Sequence, residues 1–481
     1  MATTPLPNRF LRFLAALAAL IVVYGLQSAV THALVRPDVS DFRVLYCGER
    51  AAVRERADPY HVEPLRACEH DKQLETEEPA WSVTPFPLPS YATAALSPLA
   101  FLPYPLARCV WIAVLVVAFG LAAVTVATLL DVSAFAIGLV FAPTLGILNL
   151  QYGEPVLIAV AALCLAGLAI HGHRPKLAAL AAAVSMVEPH VGLPAALGLF
   201  AFVPEARRTL VALAAVLAAV GLLTLGAQTN LEYVRDFLPA QARAELLAQD
   251  QFSLSRLLYV LGVAPGIALS AGSLSYGCTT LFGLWAARQL VARSFTRALF
   301  VLVPVATAML GGPFIHDVQI AAALPAAVVL ARRYWAGRAA VALLALDWTG
   351  HGSALLVPAA GAAAGMSAVV LRGASVVRRG AYTIIGAAAV LALSFTPRAS
   401  PPPHGIPKLQ PAPTIASSDL SSVAWGWRIK VTPAWSQSDL STAVAKIPLW
   451  AGLLLVPLSL LTFAARSRPA TFSIQRRAKV V

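Results

Sequence analysis

Asp41 stands in Ser40-Asp41-Phe42-Arg43-Val44-Leu45-Tyr46, directly after the first hydrophobic run and at the start of the chain's longest acidic stretch. A carboxylate within hydrogen-bond reach of a hydroxyl can take its proton as that oxygen attacks, which is the job of a general base. Phe42, Leu45 and Tyr46 suit an amphipathic helix lying on a membrane surface, with Arg43 adjacent. Ser40 or Asp41 would equally serve as a helix N-cap. Further along, Glu188-Pro189-His190 and Gly311-Gly312-Pro313, then His316-Asp317, put ionisable groups beside helix breaks in apolar surroundings. Such groups are costly unless paired or functional. Arg256 opens a helix after a polar stretch, where N-terminal amides also attract anions; an arginine snorkelling to the interface is the alternative. Asn149 and Gln151 either end a helix or contact a sugar.

The elements that must position these residues are hydrophobic helices. Of 481 residues, 58% are hydrophobic and 12% charged, against about a quarter charged in soluble proteins. Charge-free runs cover Thr209 to Leu231, Leu257 to Ala287, Ala298 to Ile315 and Ile447 to Ala465. Roughly 20 apolar residues cross a bilayer, so the fold class is an all-α polytopic membrane protein. The net charge of +13 does not point to nucleic acid, because the basic residues sit in short connectors: Arg174 and Lys176, Arg207 and Arg208, Arg288 to Arg297, Arg332 to Arg338, Arg372 to Arg379, and the tail. That distribution marks cytoplasmic loops.

With those connectors inside, residues 36–106 form an extracytoplasmic first loop, and residues 88–104, rich in proline, lie along the outer surface. Spans are expected at 107–130, 134–150, 155–170, 209–226, 257–287, 297–314, 317–331, 380–397 and 447–465. Residues 177–203 form two short helices meeting at Glu188-Pro189 near the outer side, and a second broken pair surrounds Asp347–Gly352. The transmembrane domain thus covers 1–397, followed by an extracytoplasmic Pro-rich, Trp-containing loop at 398–446, a final helix at 447–465 and a basic cytoplasmic tail at 466–481. Both termini are then cytoplasmic. Arg9 and Arg12 before an apolar run resemble a signal peptide, with Thr31-His32-Ala33 as a cleavage site; because the run continues to Val35, an uncleaved first helix is expected.

Loop 36–87 carries 7 Lys/Arg and 11 Asp/Glu, a net −4. It holds Cys47 and Cys68, which pair if the loop faces an oxidising compartment and otherwise remain two thiols. Cys109, Cys164 and Cys278 read as packing residues. The chain contains no zinc motif, Walker sequence, nucleotide-binding glycine loop or serine-hydrolase elbow; no cofactor is expected beyond a lipid-linked sugar donor, and no metal-binding residue is assigned, metal dependence being left open.

Asp41-Phe42-Arg43-Val44-Leu45-Tyr46, then Ala51-Ala52 and Asp58-Pro59-Tyr60, resembles the opening signature of glycosyltransferase family 87. Pro87-Leu88-Pro89-Ser90-Tyr91 leading to Ser97-Pro98-Leu99 is similar to that family's aromatic-Pro-Pro-Leu run. Asn149-Leu150-Gln151-Tyr152-Gly153 resembles its Gly-Gln-x-Asn helix start, Gln251-Phe252-Ser253-Leu254 its Asn-Gln-Ser-Leu element, and His316-Asp317 its late histidine motif. The likeness covers about residues 10 to 335. Departures are Glu188, where the family has a lysine, the split Pro-Pro and the scrambled Gly-Gln-x-Asn.

The resemblance implies a GT-C-like fold of about 10–14 transmembrane or re-entrant helices and an inverting transfer. A mannose-like hexose or a pentose would pass from a polyprenyl-phosphate carrier to a lipid or glycan acceptor, on the outer face of a bacterial inner membrane. Asp41 would be the catalytic base, with Arg43, Tyr46, Gln151, Glu188, His190, Arg256 and His316 as substrate-binding candidates. The rival readings are a flippase for a lipid-linked glycan and a non-catalytic assembly protein of the same fold.

Overall fold

The computed structural model describes residues 23–31, 33–34, 40–69, 71, 83–246, 251–293, 296–344 and 439–461. Among them the chain is mostly helical, and Gln251 and His316 form an isolated bridge. The expectations for residues 1–22, for the pair around Asp347–Gly352, for the span 380–397, for the loop 398–438 and for the tail lie outside the described residues.

Two short helices precede the bundle, α1 (Ser40–Glu49) and α2 (Val62–Glu69). A surface helix, α3 (Ser90–Leu96), and one 3₁₀ segment (Ser97–Phe101) follow. Both are far shorter than a span, and Pro98 and Pro103 keep them from extending. Then come α4 (Tyr104–Leu130) and α5 (Ala134–Tyr152), the latter widened to π-helical turns over Ala142–Leu148. The next elements are α6 (Val156–His171), α7 (Pro175–Val187), α8 (Pro189–Phe202), α9 (Pro204–Glu232) and α10 (Leu238–Glu245). The bundle is completed by α11 (Leu254–Val260), α12 (Pro265–Ala292), α13 (Leu299–Ala308), α14 (Asp317–Ala331), α15 (Trp335–Leu344) and α16 (Asp439–Leu458).

Among the described residues, four helices are long and apolar enough to cross a membrane: α4, α5, α12, and the Pro204–Arg243 stretch that begins with α9. The described part is mostly helical with membrane-length helices, consistent with an all-α membrane protein. The expected span 257–287 needs correction: the chain turns at Gly262 (φ 90°), and Pro265 opens α12 as a separate, later helix. The expected end at residue 226 is a kink at Gly226 (φ 78°, ψ 170°), after which helix resumes.

Helix polarity divides the bundle into two ends. At one, arginines cap helix C-termini. Arg207 donates to the carbonyl of Phe200 at 2.7 Å, Arg338 to that of Ala331 at 2.9 Å and Arg293 to that of Leu460 at 2.9 Å, while Arg332 reaches the Leu130 carbonyl. Thr296 and Arg297 meet His171 and His173 there at 2.9 and 3.1 Å. Unsatisfied carbonyls and the negative end of the helix dipole both favour a cation at these positions. The sixteen residues of α6, about 24 Å of helix at 1.5 Å per residue, separate His171 from the other end.

At that other end α6, α8 and α14 begin, at Val156, Pro189 and Asp317. The pairs α7–α8 and α13–α14 are hairpins whose tips carry Glu188-Pro189-His190 and His316-Asp317. Small residues bring the backbones close, as membrane helix packing requires. A Cβ at Gly198 would collide with the Phe300 carbonyl of α13, so α8 and α13 pack in direct backbone contact.

Candidate active site

Asp41, in the first turn of α1, is hydrogen-bonded to the side chain of Glu154. The turn that carries Glu154 is fixed three times over. Gly153 closes α5 at φ 79°, a left-handed position that a side chain would strain. The amides of Gly153 and Glu154 donate to the Asn149 carbonyl at 2.9 and 3.0 Å, and the Trp111 indole donates to the Gly153 carbonyl at 2.7 Å. Burial, then the charge of Asp41 and its hydrogen bond, then the charge of Glu188 raise Glu154 well above the usual carboxylate range, with His316 acting against them. Two carboxyls in hydrogen-bond contact cannot both be ionised without strong repulsion, so the pair shares one proton.

Glu188 lies in extended backbone (φ −120°, ψ 96°) at the break before α8. Its Oε1 accepts from Nδ1 of His190 at 3.1 Å and from Nε2 of Gln319 at 2.9 Å. Oε1 of Gln319 in turn accepts from the His316 amide at 3.0 Å, so one glutamine ties the two hairpin tips together. Gln251 buttresses His316 from the far side. Its Oε1 accepts from the Ile315 amide at 2.8 Å, and its Nε2 lies 3.0 Å from Oε2 of Glu245 and 2.9 Å from Nε2 of His316. His190 and His316 keep 18% and 25% of their side-chain surface exposed, whereas Glu245 keeps 4%.

The other sequence-derived candidates are placed as follows. Arg43 and Tyr46 share α1 with Asp41 but point away from it, since residues two and five positions on lie about 200° and 140° around a helix. Arg43 is buried, and Tyr46 donates its hydroxyl to the Leu102 carbonyl at 2.9 Å. Arg256 does not snorkel: it is buried, and its guanidinium donates to the Leu246 carbonyl at 2.5 Å. Gln151 is half-buried in the last turn of α5, three residues before Glu154. Cys47 and Cys68 form a disulfide with Cα atoms 5.5 Å apart.

Sequence reasoning missed Glu154, Glu245, Gln319 and Lys446. Lys446 donates to the Gln251 carbonyl and lies 4.8 Å over the Phe252 ring, while Trp450 donates to the Phe252 carbonyl at 3.0 Å. These contacts pin the 251–256 segment from α16. The motif-like residues are chiefly wiring. Asp58 accepts from the Tyr60 amide at 2.9 Å, and Tyr60 donates to the Leu88 carbonyl at 2.9 Å and packs its ring 4.7 Å from that of Tyr233. Phe42 stacks on Tyr104 and Trp111. Among the described residues, Asp58, His61 and Glu232 could hold a cation, with ligand atoms all within 4.8 Å of one another.

A carboxyl pair, two partly exposed imidazoles and converging helix N-termini suit transfer of a group onto a hydroxyl with departure of an anion. Residues 86–313 match the family model of glycosyltransferase family 87. The family 87 match includes Glu154, Glu188, His190, Glu245, Gln251 and Arg256; Asp41 precedes it and His316 follows it by three residues. With the membrane-length helices, the family 87 match supports a membrane glycosyltransferase, with a sugar donor and an acceptor as reactants. No curated protein and no solved structure matches the chain.

Proposed function

We propose that this protein is a GT-C-type inverting glycosyltransferase that uses a polyprenyl-phosphate sugar, mannose-like or a pentose, to glycosylate a lipid or glycan. The observation that carries this reading is the placement of Asp41: hydrogen-bonded to Glu154, at the bundle end where Glu188, His190 and His316 gather. The acceptor hydroxyl gives its proton to Asp41 as its oxygen bonds to the anomeric carbon. The bond from that carbon to the carrier phosphate breaks, and the phosphate leaves with the electron pair. Donors across the site stabilise charge that develops on the leaving oxygen, and His190 and His316 are positioned for that work. The amides at the N-termini of α6, α8 and α14 add a field that favours an anion.

The arginine-capped end faces the cytoplasm in this reading, with both termini, and the site faces the outer leaflet of a bacterial inner membrane. The test is incubation of membranes with radiolabelled polyprenyl-phosphate sugars, comparing wild type with Asp41→Asn. The asparagine keeps size and hydrogen bonding but cannot take the proton, so turnover falls by about 10²–10⁴-fold while donor binding persists. Full transferase activity in Asp41→Asn overturns the assignment.

A further inference from the structure

We infer that Glu154 is the positioning residue of this site: a neutral carboxylic acid whose O–H donates to Asp41 and aims its ionised oxygen at the acceptor. This rests on the transferase reading above. Two carboxyls in hydrogen-bond contact cannot both be ionised without strong repulsion, so the pair at neutral pH carries one proton and one negative charge. The scaffold decides which member keeps the proton. Glu154 is half-buried in the turn after Gly153, which Trp111 clamps, and the charges of Asp41 and Glu188 both oppose its ionisation. Asp41 begins a helix, where the dipole favours its anion. His316 is the group that favours an ionised Glu154, and its Nε2 is already engaged by Gln251 and faces Glu245.

The proton balance follows. Before transfer the pair is Asp41 carboxylate and Glu154 acid. The acceptor proton moves to the free oxygen of Asp41, both members are then neutral, and one proton later returns to water. Glu154 neither touches the sugar nor gives up its proton; it fixes the rotamer of the base. Above the pH at which Glu154 ionises, the two carboxylates repel, Asp41 swings off line, and activity falls.

The experiment measures kcat and donor KM against pH for wild type, Glu154→Gln, Glu154→Ala and Asp41→Asn. The glutamine amide still donates to Asp41 but cannot ionise. Glu154→Gln is expected to keep kcat within about tenfold of wild type and to lose the alkaline fall. Glu154→Ala is expected to lower kcat by about 10²-fold, the low end for disabling a general base, with donor KM little changed. If Asp41→Asn is inactive but Glu154→Ala keeps wild-type kcat and pH profile, the positioning role is wrong and the transferase reading stands. If Asp41→Asn is fully active, the transferase mechanism itself is wrong. Infrared difference spectroscopy of the purified protein gives a readout without turnover. A protonated carboxyl band present at neutral pH should vanish in Glu154→Gln and shift in Asp41→Asn, and a spectrum unchanged by both substitutions overturns the proton assignment.

Discussion

Removing the Cys47–Cys68 disulfide, by the paired change of both cysteines to serine, should loosen the helix that carries Asp41. The bridge joins α1 to α2 across a sequence separation of 21 residues. In the chain-entropy treatment a loop of that size loses about 11 cal/mol/K on closure, or about 3 kcal/mol at 25 °C. At 1.4 kcal/mol per factor of ten, that is roughly a 150-fold change in the local opening equilibrium. The figure is an upper one, because Tyr60, between the two cysteines, still tethers the loop through Leu88 and its packing on Phe86, Tyr233 and Phe237. Amide hydrogen exchange in detergent is the direct assay. Protection across Ser40–Glu49 should fall by one to two orders of magnitude, while the buried amides of Val156–His171 stay as they are. Asp41 lies six residues from Cys47 on the same helix, so kcat should fall with α1 protection. Unchanged exchange in α1 after loss of the bridge would refute the claim that the disulfide holds the base in place.

Other outcomes follow from single contacts. Tyr46→Phe removes one hydroxyl bond to the Leu102 carbonyl and should cost about 1 kcal/mol of stability, read by thermal unfolding in detergent, with kcat unchanged. Glu49 is buried with neither carboxylate oxygen hydrogen-bonded, and burial raises it well above the usual range. The folded state therefore keeps a proton that the unfolded chain releases, so stability falls as pH rises from the ordinary glutamate value towards the folded one. Glu49→Gln should remove that slope and be more stable than wild type at neutral pH but not at acid pH.

How much was legible in the sequence depends on how local each signal is. Proline at 189 and the Gly311-Gly312-Pro313 run announce helix breaks, and a polar residue at such a break belongs at a bundle end; Glu188, His190 and His316 could be placed that way. Arg43 and Tyr46 face other sides of α1 from Asp41, because adjacency in sequence is not adjacency on a helix, where one residue advances about 100°. Glu154 looks like any carboxylate in a turn after glycine. Its meaning comes from Asp41, more than a hundred residues earlier, and no periodicity carries that pairing. Gln319 and Glu245 are hidden for the same reason, since each acts through a contact between separate segments. The break at Gly262 was overlooked because apolar residues continue on both sides of it and mask the turn.

Trp111 touches both members of the acid pair through their neighbours. Its ring stacks on Phe42 with centroids 5.8 Å apart, and its indole nitrogen holds the Gly153 carbonyl. Asp41 and Glu154 each follow or precede one of those contacts by a single residue. The indole therefore works as a caliper: the gap between the two acids is set by an aromatic spacer of fixed width, whatever their charge. When Glu154 ionises, the repulsion meets this rigid gauge and must be relieved by side-chain rotation, because the two backbones have no freedom to part. A smaller ring at position 111 would let the jaws open, and the protein would then tolerate alkaline conditions structurally while losing the alignment of its base.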